Sequence, residues 1–549
     1  MHTEEALDKK MAEIKDLDLE ATSKQKAQSS NLPYLNLRFF PVDASALFLM
    51  DESSAREAGV AIIAKTGTKV TVATMDSLAP AVQAVTQILS QKGLTISFTI
   101  VSAHSLTIAW NRYKSQKHRQ DGGYGIMHVD QKAIEQFEEQ IQSIKDLKER
   151  VTSLPVTQVL NALIAGALKI GASDIHFEPE EHEIRLRYRL DGVLTDVLAF
   201  SSSEYPEILS RVKLDSGLKI NIHTSPQDGR FTIRLKDKDI EVRVSILPGA
   251  YGENIVMRLL DPSSIRQKLE DLGMREDTLE LTKKLLQKNT GTILTTGPTG
   301  SGKTTTLYAF LQYINTPDVK IITIEDPIEY HIEGISQTQV NDQTGYSFAE
   351  GLRSIVRQDP DIILVGEIRD QETAEITMQA ALTGHLVLST IHTNNAAGTI
   401  PRLIDLGVRP VTIAPAINAA MAQRLVRRLC EVCKKKTQVK HEDYELLKRH
   451  LEHLPPTVIG VPKISENMEI FYPTGCPACN TSGYKGRIGA YEIFEVDTEM
   501  QKLIMKSPAL AEIQELAVKK GLTTLLQDAL IKAANGITSI DEVMRVIGE

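Results

Sequence analysis

A glycine-rich segment near the middle of the chain constrains the fold more than any other feature. Residues Gly297–Thr304 read Gly-Pro-Thr-Gly-Ser-Gly-Lys-Thr and match the pattern GxxxxGK[ST]. The β-branched run Thr292–Thr296 precedes them and Thr305–Leu311 follows, which predicts a strand, a loop and a helix in that order. Such a loop binds a polyphosphate, because its main-chain N–H groups and the N-terminus of the helix point at the anion. A pattern this short can match by chance, but the flanking strand and helix make chance a minor alternative.

The loop also carries the side chains that a phosphate site needs. Lys303 is expected to reach the β- and γ-phosphates, and the Thr304 hydroxyl is expected to bind Mg²⁺. The predicted nucleotide-binding residues of this segment are Gly297, Pro298, Thr299, Gly300, Ser301, Gly302, Lys303, Thr304 and Thr305. A nucleoside triphosphate with Mg²⁺ is therefore the predicted ligand.

Further apolar segments after the loop each end in polar or charged residues. Ligands of open α/β sheets bind at the carboxyl ends of the strands, so these polar residues are expected to converge on the loop. The residues predicted to be catalytic are Glu367, Lys303, Glu325, Asp326 and His392.

Each of these residues has a predicted role. Glu367 is expected to orient or deprotonate the attacking water, because phosphoryl transfer needs mainly positioning and electrostatics from the protein. The alternative for Glu367, an acid that caps a helix, is weaker because Gly366 before it permits close approach of the main chain. Glu325 and Asp326 are expected to contact Mg²⁺ or water through hard oxygen ligands. His392 either binds the terminal phosphate or is structural, and both alternatives stay open.

Length and composition set the class of protein. At 549 residues the chain is too long for one hydrophobic core, and about three or more domains are expected. No apolar run approaches the roughly 20 residues of a membrane span. The charged segment Met1–Glu20 does not resemble a secretory signal, so a cytoplasmic protein is expected. The formal net charge of −9 disfavours non-specific binding to nucleic acid.

Two strands of a predicted second domain alternate apolar residues with arginines. They are Ile184–Leu190 and Ile240–Ile246. One face of such a sheet packs on a core and the other is cationic. The cationic face is either solvated or turned towards phosphates, and the sequence leaves both alternatives open.

The four cysteines form two CxxC pairs, Cys430 with Cys433 and Cys476 with Cys479. Four thiolates in paired spacing suit tetrahedral Zn²⁺, with no position left open for water, so a structural metal is predicted. A helical insertion around Glu442–Leu451 is expected between the pairs. Four buried reduced thiols would not need the paired spacing, and a redox role is less favoured than metal.

Taken together, these segments resemble the secretion ATPases, in particular the assembly motors of type IV pili and their type II secretion counterparts. The matching segments are the loop Gly297–Thr306, the acidic segment Ile324–Tyr330, the segment Arg353–Asp370 and the histidine-containing segment Thr383–Thr393. The resemblance covers nearly the whole chain from Leu32 onward.

The resemblance implies an α/β multidomain fold that assembles as a hexameric ring. It has a RecA-like P-loop motor domain, a PAS-like second domain, an N-terminal α/β domain and a C-terminal tetracysteine zinc module. The predicted boundaries are 1–30 for a flexible polar tail, 31–115 for the N-terminal α/β interaction domain, 116–150 for a charged helical linker, 151–265 for the PAS-like domain, 266–422 for the motor, 423–492 for the zinc module and 493–549 for C-terminal helices.

The resemblance also implies further nucleotide contacts and a choice between functions. Arginines of the second domain and the motor are expected to contact phosphates or complete neighbouring sites, and the matching positions are Arg243, Arg258, Arg353 and Arg357. The tetracysteine module and the long N-terminal region are typical of assembly and secretion motors rather than retraction motors. Some N-terminal domains of the family bind a cyclic dinucleotide through a repeated Arg-Leu-Gly motif, but nothing between Leu32 and Tyr113 has that form. That regulation is not expected here.

The implied activity is Mg²⁺-dependent hydrolysis of ATP by a cytoplasmic enzyme that associates peripherally with the inner membrane. Hydrolysis would change the angle between the second domain and the motor and so drive an inner-membrane platform protein. The N-terminal domain would contact cytoplasmic assembly proteins, and no nucleic acid partner is expected. The alternatives are a pilus retraction motor, a DNA translocase or helicase on the same RecA-like core, and a scaffold that binds ATP without turnover. The acidic charge balance disfavours the translocase.

Overall fold

The computed structural model describes residues 20, 22–30, 32–37, 44–47, 49–66, 68–120, 126–127, 143–151, 154–235, 239–261, 267–341 and 344–548. It forms two compact units, of which the first comprises residues 1–126 and 215–217 and the second comprises the rest. Most of the predicted polar tail, and residues 128–142 of the predicted linker, lie outside the described residues. None of the helices in the described part of the chain combines the length and apolar character that a bilayer span needs.

The first unit is a small α/β domain. Its elements are α1 (Ala44–Leu47), α2 (Glu52–Glu57), β1 (Val60–Thr66), β2 (Lys69–Thr74), α3 (Pro80–Gln91), β3 (Thr95–Ile100) and α4 (Ala103–Gln120). Strands β1 and β2 are antiparallel, and β3 pairs with β2 in parallel. Ala61 and Ile63 pack in one apolar cluster while Ile62 and Val72 pack in another. Both faces of β1 are thus covered, which explains why Val60–Ala64 reads as a continuous apolar run.

The second unit begins with a mixed domain built on an antiparallel sheet. Its elements follow the short strand β4 (Ile126–Met127) and are α5 (Ile144–Val151), α6 (Val156–Ile170), β5 (Ala172–Pro179), β6 (Glu183–Leu190), β7 (Val193–Ser201), α7 (Tyr205–Asp215), β8 (Gln227–Arg234), β9 (Asp239–Pro248) and β10 (Glu253–Leu260). Strands β5 to β10 lie in the order β8-β9-β10-β5-β6-β7. Helix α6 is amphipathic, and its apolar face packs against the sheet core.

The arginines of β6 lie on the open face of this sheet. Ile184, Leu186 and Tyr188 of the same strand are buried on the other face. The three arginines each have a carboxylate partner on the sheet, namely Asp196 at 2.8 Å for Arg185, Glu178 at 2.5 Å for Arg187 and Asp174 at 3.5 Å for Arg189. The alternation in β6 therefore serves cross-strand ion pairs.

A largely parallel sheet follows, with helices on its faces. Its elements are a 3₁₀ turn (Leu269–Leu272), α8 (Glu276–Leu286), β11 (Gly291–Thr296), α9 (Lys303–Ile314), β12 (Ile321–Glu325), β13 (Ser336–Gln339), α10 (Phe348–Val356), β14 (Ile362–Val365), α11 (Gln371–Leu382), β15 (Leu386–Ile391), α12 (Thr399–Asp405), α13 (Pro410–Ala416) and β16 (Ile417–Leu429). The sheet also includes a later strand, β19 (Tyr484–Glu495). The strand order is β13-β12-β14-β15-β11-β16-β19, and the pairs from β13 to β16 are parallel. The strand that precedes the glycine-rich loop is therefore interior and fully buried.

The C-terminal part is joined to this sheet rather than separate from it. Its elements are β17 (Lys435–Gln438), α14 (His441–Leu451), β18 (Glu469–Tyr472), a 3₁₀ turn (Pro477–Cys479), β19 (Tyr484–Glu495), α15 (Thr498–Ile504), α16 (Leu510–Lys519), α17 (Leu525–Ala534) and α18 (Ile540–Val546). Strand β19 adds to the sheet by antiparallel pairing with β16. The zinc module was predicted to start at residue 423, and this residue lies within strand β16. The predicted helical insertion between the cysteine pairs is confirmed by α14.

Candidate functional site

The glycine-rich loop joins β11 to α9 and is shaped by close contact with β16. Gly297, Gly300 and Gly302 all have positive φ angles, of 150°, 79° and 88°. A Cβ on Gly297 would lie 2.6 Å from the carbonyl oxygen of Gln423, and one on Gly302 would lie 2.8 Å from Gln423 Nε2. Glycine is required at these two positions both by the backbone conformation and by the neighbouring strand.

The outer side of the loop is open and its inner side carries an unsatisfied hydroxyl. Pro298, Thr299 and Thr304 are exposed. Ser301 Oγ is buried, and it has no hydrogen-bond partner among the described residues. A buried polar atom without a partner is costly, so a phosphate oxygen at this position would stabilise it. The loop thus fits a polyphosphate both in backbone shape and in donor chemistry.

Lys303 folds back on the loop that it belongs to. Its Nζ donates to the carbonyl oxygens of Gly297 at 2.8 Å and of Pro298 at 3.1 Å. Burial lowers the pKa of Lys303, and the nearby negative charge of Glu367 opposes that shift. The ammonium group is therefore held beside the loop, within electrostatic range of the predicted catalytic acid.

Glu367 lies where β14 ends, and two basic side chains hold it. Arg369 donates to Glu367 Oε1, and His392 Nε2 lies 3.5 Å from Glu367 Oε2. The same arginine lies 4.0 Å from Asp326 Oδ2. The Glu367 side chain is only 15% exposed, so it keeps a fixed position at the sheet edge. The structure thus brings Glu367, His392, Asp326 and Lys303 together, while their catalytic roles remain predictions.

Glu325 has a different environment from the one its predicted metal contact needs. It is 3% exposed, and Tyr308 donates its hydroxyl proton to Oε2. Thr323 donates to Oε1 at 2.5 Å and Gln337 donates to the same oxygen at 3.2 Å. These bonds tie the end of β12 to α9 and β13, so the surroundings of Glu325 favour a structural anchor over a ligand of Mg²⁺.

The four arginines expected at phosphates have partners outside the loop. Arg258 pairs with Asp174 at 3.0 Å, and Arg243 Nη2 lies 3.4 Å from Glu329 Oε2. Burial raises the pKa of Glu329, and the charges of Arg243 and Arg258 oppose that shift. The second domain therefore meets the acidic segment of the motor through these two arginines.

Arg353 and Arg357, the other two of these arginines, lie in the motor and contact side chains on helices α10 and α11. Arg353 on α10 pairs with Glu372 on α11. Arg357 Nη2 donates to Ser354 Oγ at 3.3 Å. Among the described residues, none of the partners of the four arginines belongs to Gly297–Thr304, so their contact with nucleotide stays a prediction.

Gln423 and Arg424 lie beside the loop and were not among the sequence candidates. Thr306 of α9 donates to Gln423 Oε1 at 2.8 Å. Arg424 Nη1 would lie 3.1 Å from a Cβ on Gly297. The sequence does contain a signal, because these two polar residues directly follow the apolar stretch Ala419–Ala422.

The four cysteines form one compact cluster. Their sulfur atoms all lie within 4.8 Å of one another, with Cys430 to Cys476 and Cys433 to Cys479 both at 3.9 Å. A tetrahedral Zn²⁺ with Zn–S bonds near 2.3 Å separates its sulfurs by about 3.8 Å. The main-chain N–H of Gly483 points at Cys479 Sγ at 3.2 Å, as it would towards a thiolate. The donor set and its spacing are compatible with a zinc ion.

These features define the class of the protein: it is a P-loop ATPase of mixed α/β fold. The chain belongs to the type II/IV secretion system protein family, whose model matches residues 149–545, and the model of the MshEN domain matches residues 30–120.

Individual relatives agree with this family. The chain is 39% identical to the type IV pilus assembly ATPase PilB of Pseudomonas aeruginosa over 527 residues, which cover 96% of this chain and 90% of that protein. It is 44% identical to the type II secretion system ATPase E of Vibrio cholerae over 411 residues, which cover 75% of this chain and 79% of that protein. The structure of the Legionella pneumophila ATPase DotB, at 21% identity and a TM-score of 0.50, covers 70% of this chain and 94% of that one, and shows the shared fold alone.

Proposed function

We propose that this ATPase is a motor that powers assembly of a type IV pilus. The observation that carries the proposal is that the alignment with the Pseudomonas pilus assembly ATPase extends over nearly the whole chain, the N-terminal domain included. The alignment with the Vibrio secretion ATPase is confined to about three quarters of the chain. Type II secretion is the second candidate, because identity over that shorter region is higher.

The residues at the sheet edge suggest how the chain handles ATP. Lys303 would exchange its bonds to the loop carbonyls for bonds to the β- and γ-phosphates, while Thr304 would hold Mg²⁺. Bound Mg²⁺ would neutralise charge that develops on the phosphate oxygens. Glu367 would accept a hydrogen bond from the attacking water, and Arg369 and His392 would keep its carboxylate oriented.

We further propose that Cys430, Cys433, Cys476 and Cys479 hold Zn²⁺ in a closed structural site. All four positions are sulfur, so no ligand position is left for catalysis by the metal. The zinc would fix the two turns that carry the cysteine pairs. The first of these turns directly follows the C-terminal end of β16.

The cellular setting belongs to the same proposal. The enzyme would act in the cytoplasm as a hexameric ring, bound to the inner membrane through a platform protein. The N-terminal domain would contact cytoplasmic assembly proteins.

Deletion of the gene in its host tests the proposed function. We expect the deletion strain to lose surface pili, counted by electron microscopy, and expression of the wild-type chain to restore them. The variant Glu367→Gln at the same expression level should not restore them, because it lacks the carboxylate that orients water. Normal pili together with secreted enzymes retained in the cell would instead identify a secretion motor, and an excess of pili that do not retract would identify a retraction motor.

A further inference from the structure

Arg424 lies at the junction of two loops that surround the proposed phosphate site. Strand β16 pairs with β11 up to Ala422 beside Thr296, so Arg424 stands two residues beyond the last residue that pairs with β11. Its Nη1 donates to the carbonyl oxygen of Gln423 at 3.0 Å, and its Nη2 donates to that of Asn394 at 2.8 Å. Asn394 follows His392 closely in the chain, so the guanidinium bonds to the histidine-containing loop. The same group lies against Gly297, where Nη1 would be 3.1 Å from a Cβ.

The charge of Arg424 is poorly compensated within the protein. Its two hydrogen bonds go to neutral carbonyl groups, and no carboxylate among the described residues lies within ion-pair distance. Burial lowers its pKa, opposed by the charge of Glu492. The Glu492 carboxylate is itself engaged by the main-chain N–H groups of Ala396 at 2.8 Å and Leu525 at 3.2 Å.

Arg424 and Lys303 are two cations that face the same space. The positive charge of Arg424 adds to burial in lowering the pKa of Lys303. Both side chains rest on carbonyl oxygens next to Gly297. By contrast, Arg243, Arg258 and Arg353 each have a carboxylate partner. An anion bound at the loop would relieve the repulsion between Arg424 and Lys303 and compensate both charges.

We propose that Arg424 is a phosphate-contacting residue of the ATP site and binds the terminal phosphate from within the same chain. This assignment rests on the proposed function. The terminal phosphate is the relevant group because Arg424 stands between Lys303, which reaches the γ-phosphate in such loops, and the loop that carries His392. A guanidinium also has more N–H donors than the two in use, and its planar fork matches phosphate oxygens.

The test compares the affinities of a non-hydrolysable ATP analogue and of ADP, each with Mg²⁺, by calorimetric titration of the full chain. We expect Arg424→Ala to weaken analogue binding by about tenfold or more, the value of one charge-assisted hydrogen bond, and ADP binding by less than about threefold. Arg424→Lys keeps the positive charge but loses the planar fork of N–H donors. Its affinity for the analogue should therefore lie between those of the wild type and of Arg424→Ala. The matched control is Arg428→Ala, an exposed arginine on the same strand.

The rise in melting temperature that each nucleotide produces in each variant provides a second readout and checks that the variants are folded. Arg424→Ala that binds both nucleotides as the wild type does would overturn the assignment. An equal loss for the analogue and ADP would overturn it too, because a terminal-phosphate contact is absent from the ADP complex. If Arg424→Ala does not fold, the test uses Arg424→Lys instead. An affinity of Arg424→Lys for the analogue equal to that of the wild type would then overturn the assignment. Failure of the wild-type chain to bind either nucleotide would refute the proposed function instead.

Discussion

The carboxylate of Glu367 shows how single residues set the chemistry of the sheet edge. It follows a buried strand, and Arg369 and His392 hold its two oxygens. Held this way, the carboxylate can accept a hydrogen bond from water without first losing conformational freedom. Lys303 acts on the other side of the same space, where it is within electrostatic range of Glu367.

Glu367→Gln separates binding from hydrolysis. We expect nucleotide affinity to stay within about threefold of wild type, since Lys303 and the loop are unchanged, while turnover falls by about 10²–10⁴-fold with the loss of the base. The measurements are nucleotide titration and phosphate release. The control is Glu375→Gln, an exposed acid on α11 whose carboxylate accepts a hydrogen bond from Gln371. Loss of nucleotide binding in Glu367→Gln would show that Glu367 is structural.

The site residues that follow strand ends could be predicted from the sequence, whereas the ion-pair partners of the arginines could not. Glu367 and His392 each follow an apolar run, and the geometry of a parallel sheet brings such ends together. The surroundings of Arg258 depend on Asp174, which lies in another strand of an antiparallel sheet and is distant in the sequence. No local pattern reports that pairing. Arg424 was missed because it lies in the middle of β16 rather than at the end of a strand.

At the scale of elements, strand β16 connects the two sites. Gln423 and Arg424 near its middle contact the glycine-rich loop, and the strand runs on to Leu429, directly before Cys430. The predicted boundary between the motor and the zinc module, at residues 422 and 423, falls inside this strand. Pairing with β19, which is distant in the chain, keeps the cationic half in the sheet.

Loss of one cysteine tests the proposed zinc site. Cys430→Ser should reduce zinc content from stoichiometric to near zero, because a hydroxyl is a poor replacement for a thiolate. The melting temperature of the C-terminal half should fall by about 5–10 °C, since metal binding contributes to folding. Elemental analysis and thermal unfolding provide these values.

Val432→Ala is the matched control, since Val432 lies between Cys430 and Cys433 and is 75% exposed. It should keep its zinc and its melting temperature. A wild-type protein without zinc would end the metal assignment, and the four cysteines would then be free thiols.

At the scale of the whole molecule, the second domain and the motor share one compact unit. Arg243 contacts Glu329, and Asp191 Oδ2 accepts from the main-chain N–H of Gly486 at 2.8 Å. These contacts join the antiparallel sheet to the acidic segment and to the region after the last cysteine. The two residues of each contact are far apart in the sequence. The order of the domains along the chain was therefore predictable, whereas the packing of one domain on another was not.

Phosphate release from ATP and Mg²⁺ by the purified full chain, compared with Lys303→Ala, tests the central claim most directly. We expect steady turnover by the wild type and a loss of about a hundredfold or more in the variant, because Lys303 supplies the charge that stabilises the transferring phosphoryl group. Melting curves would show that the variant is folded. A folded Lys303→Ala protein that hydrolyses ATP at the wild-type rate would contradict the assignment of the glycine-rich loop as the site of hydrolysis.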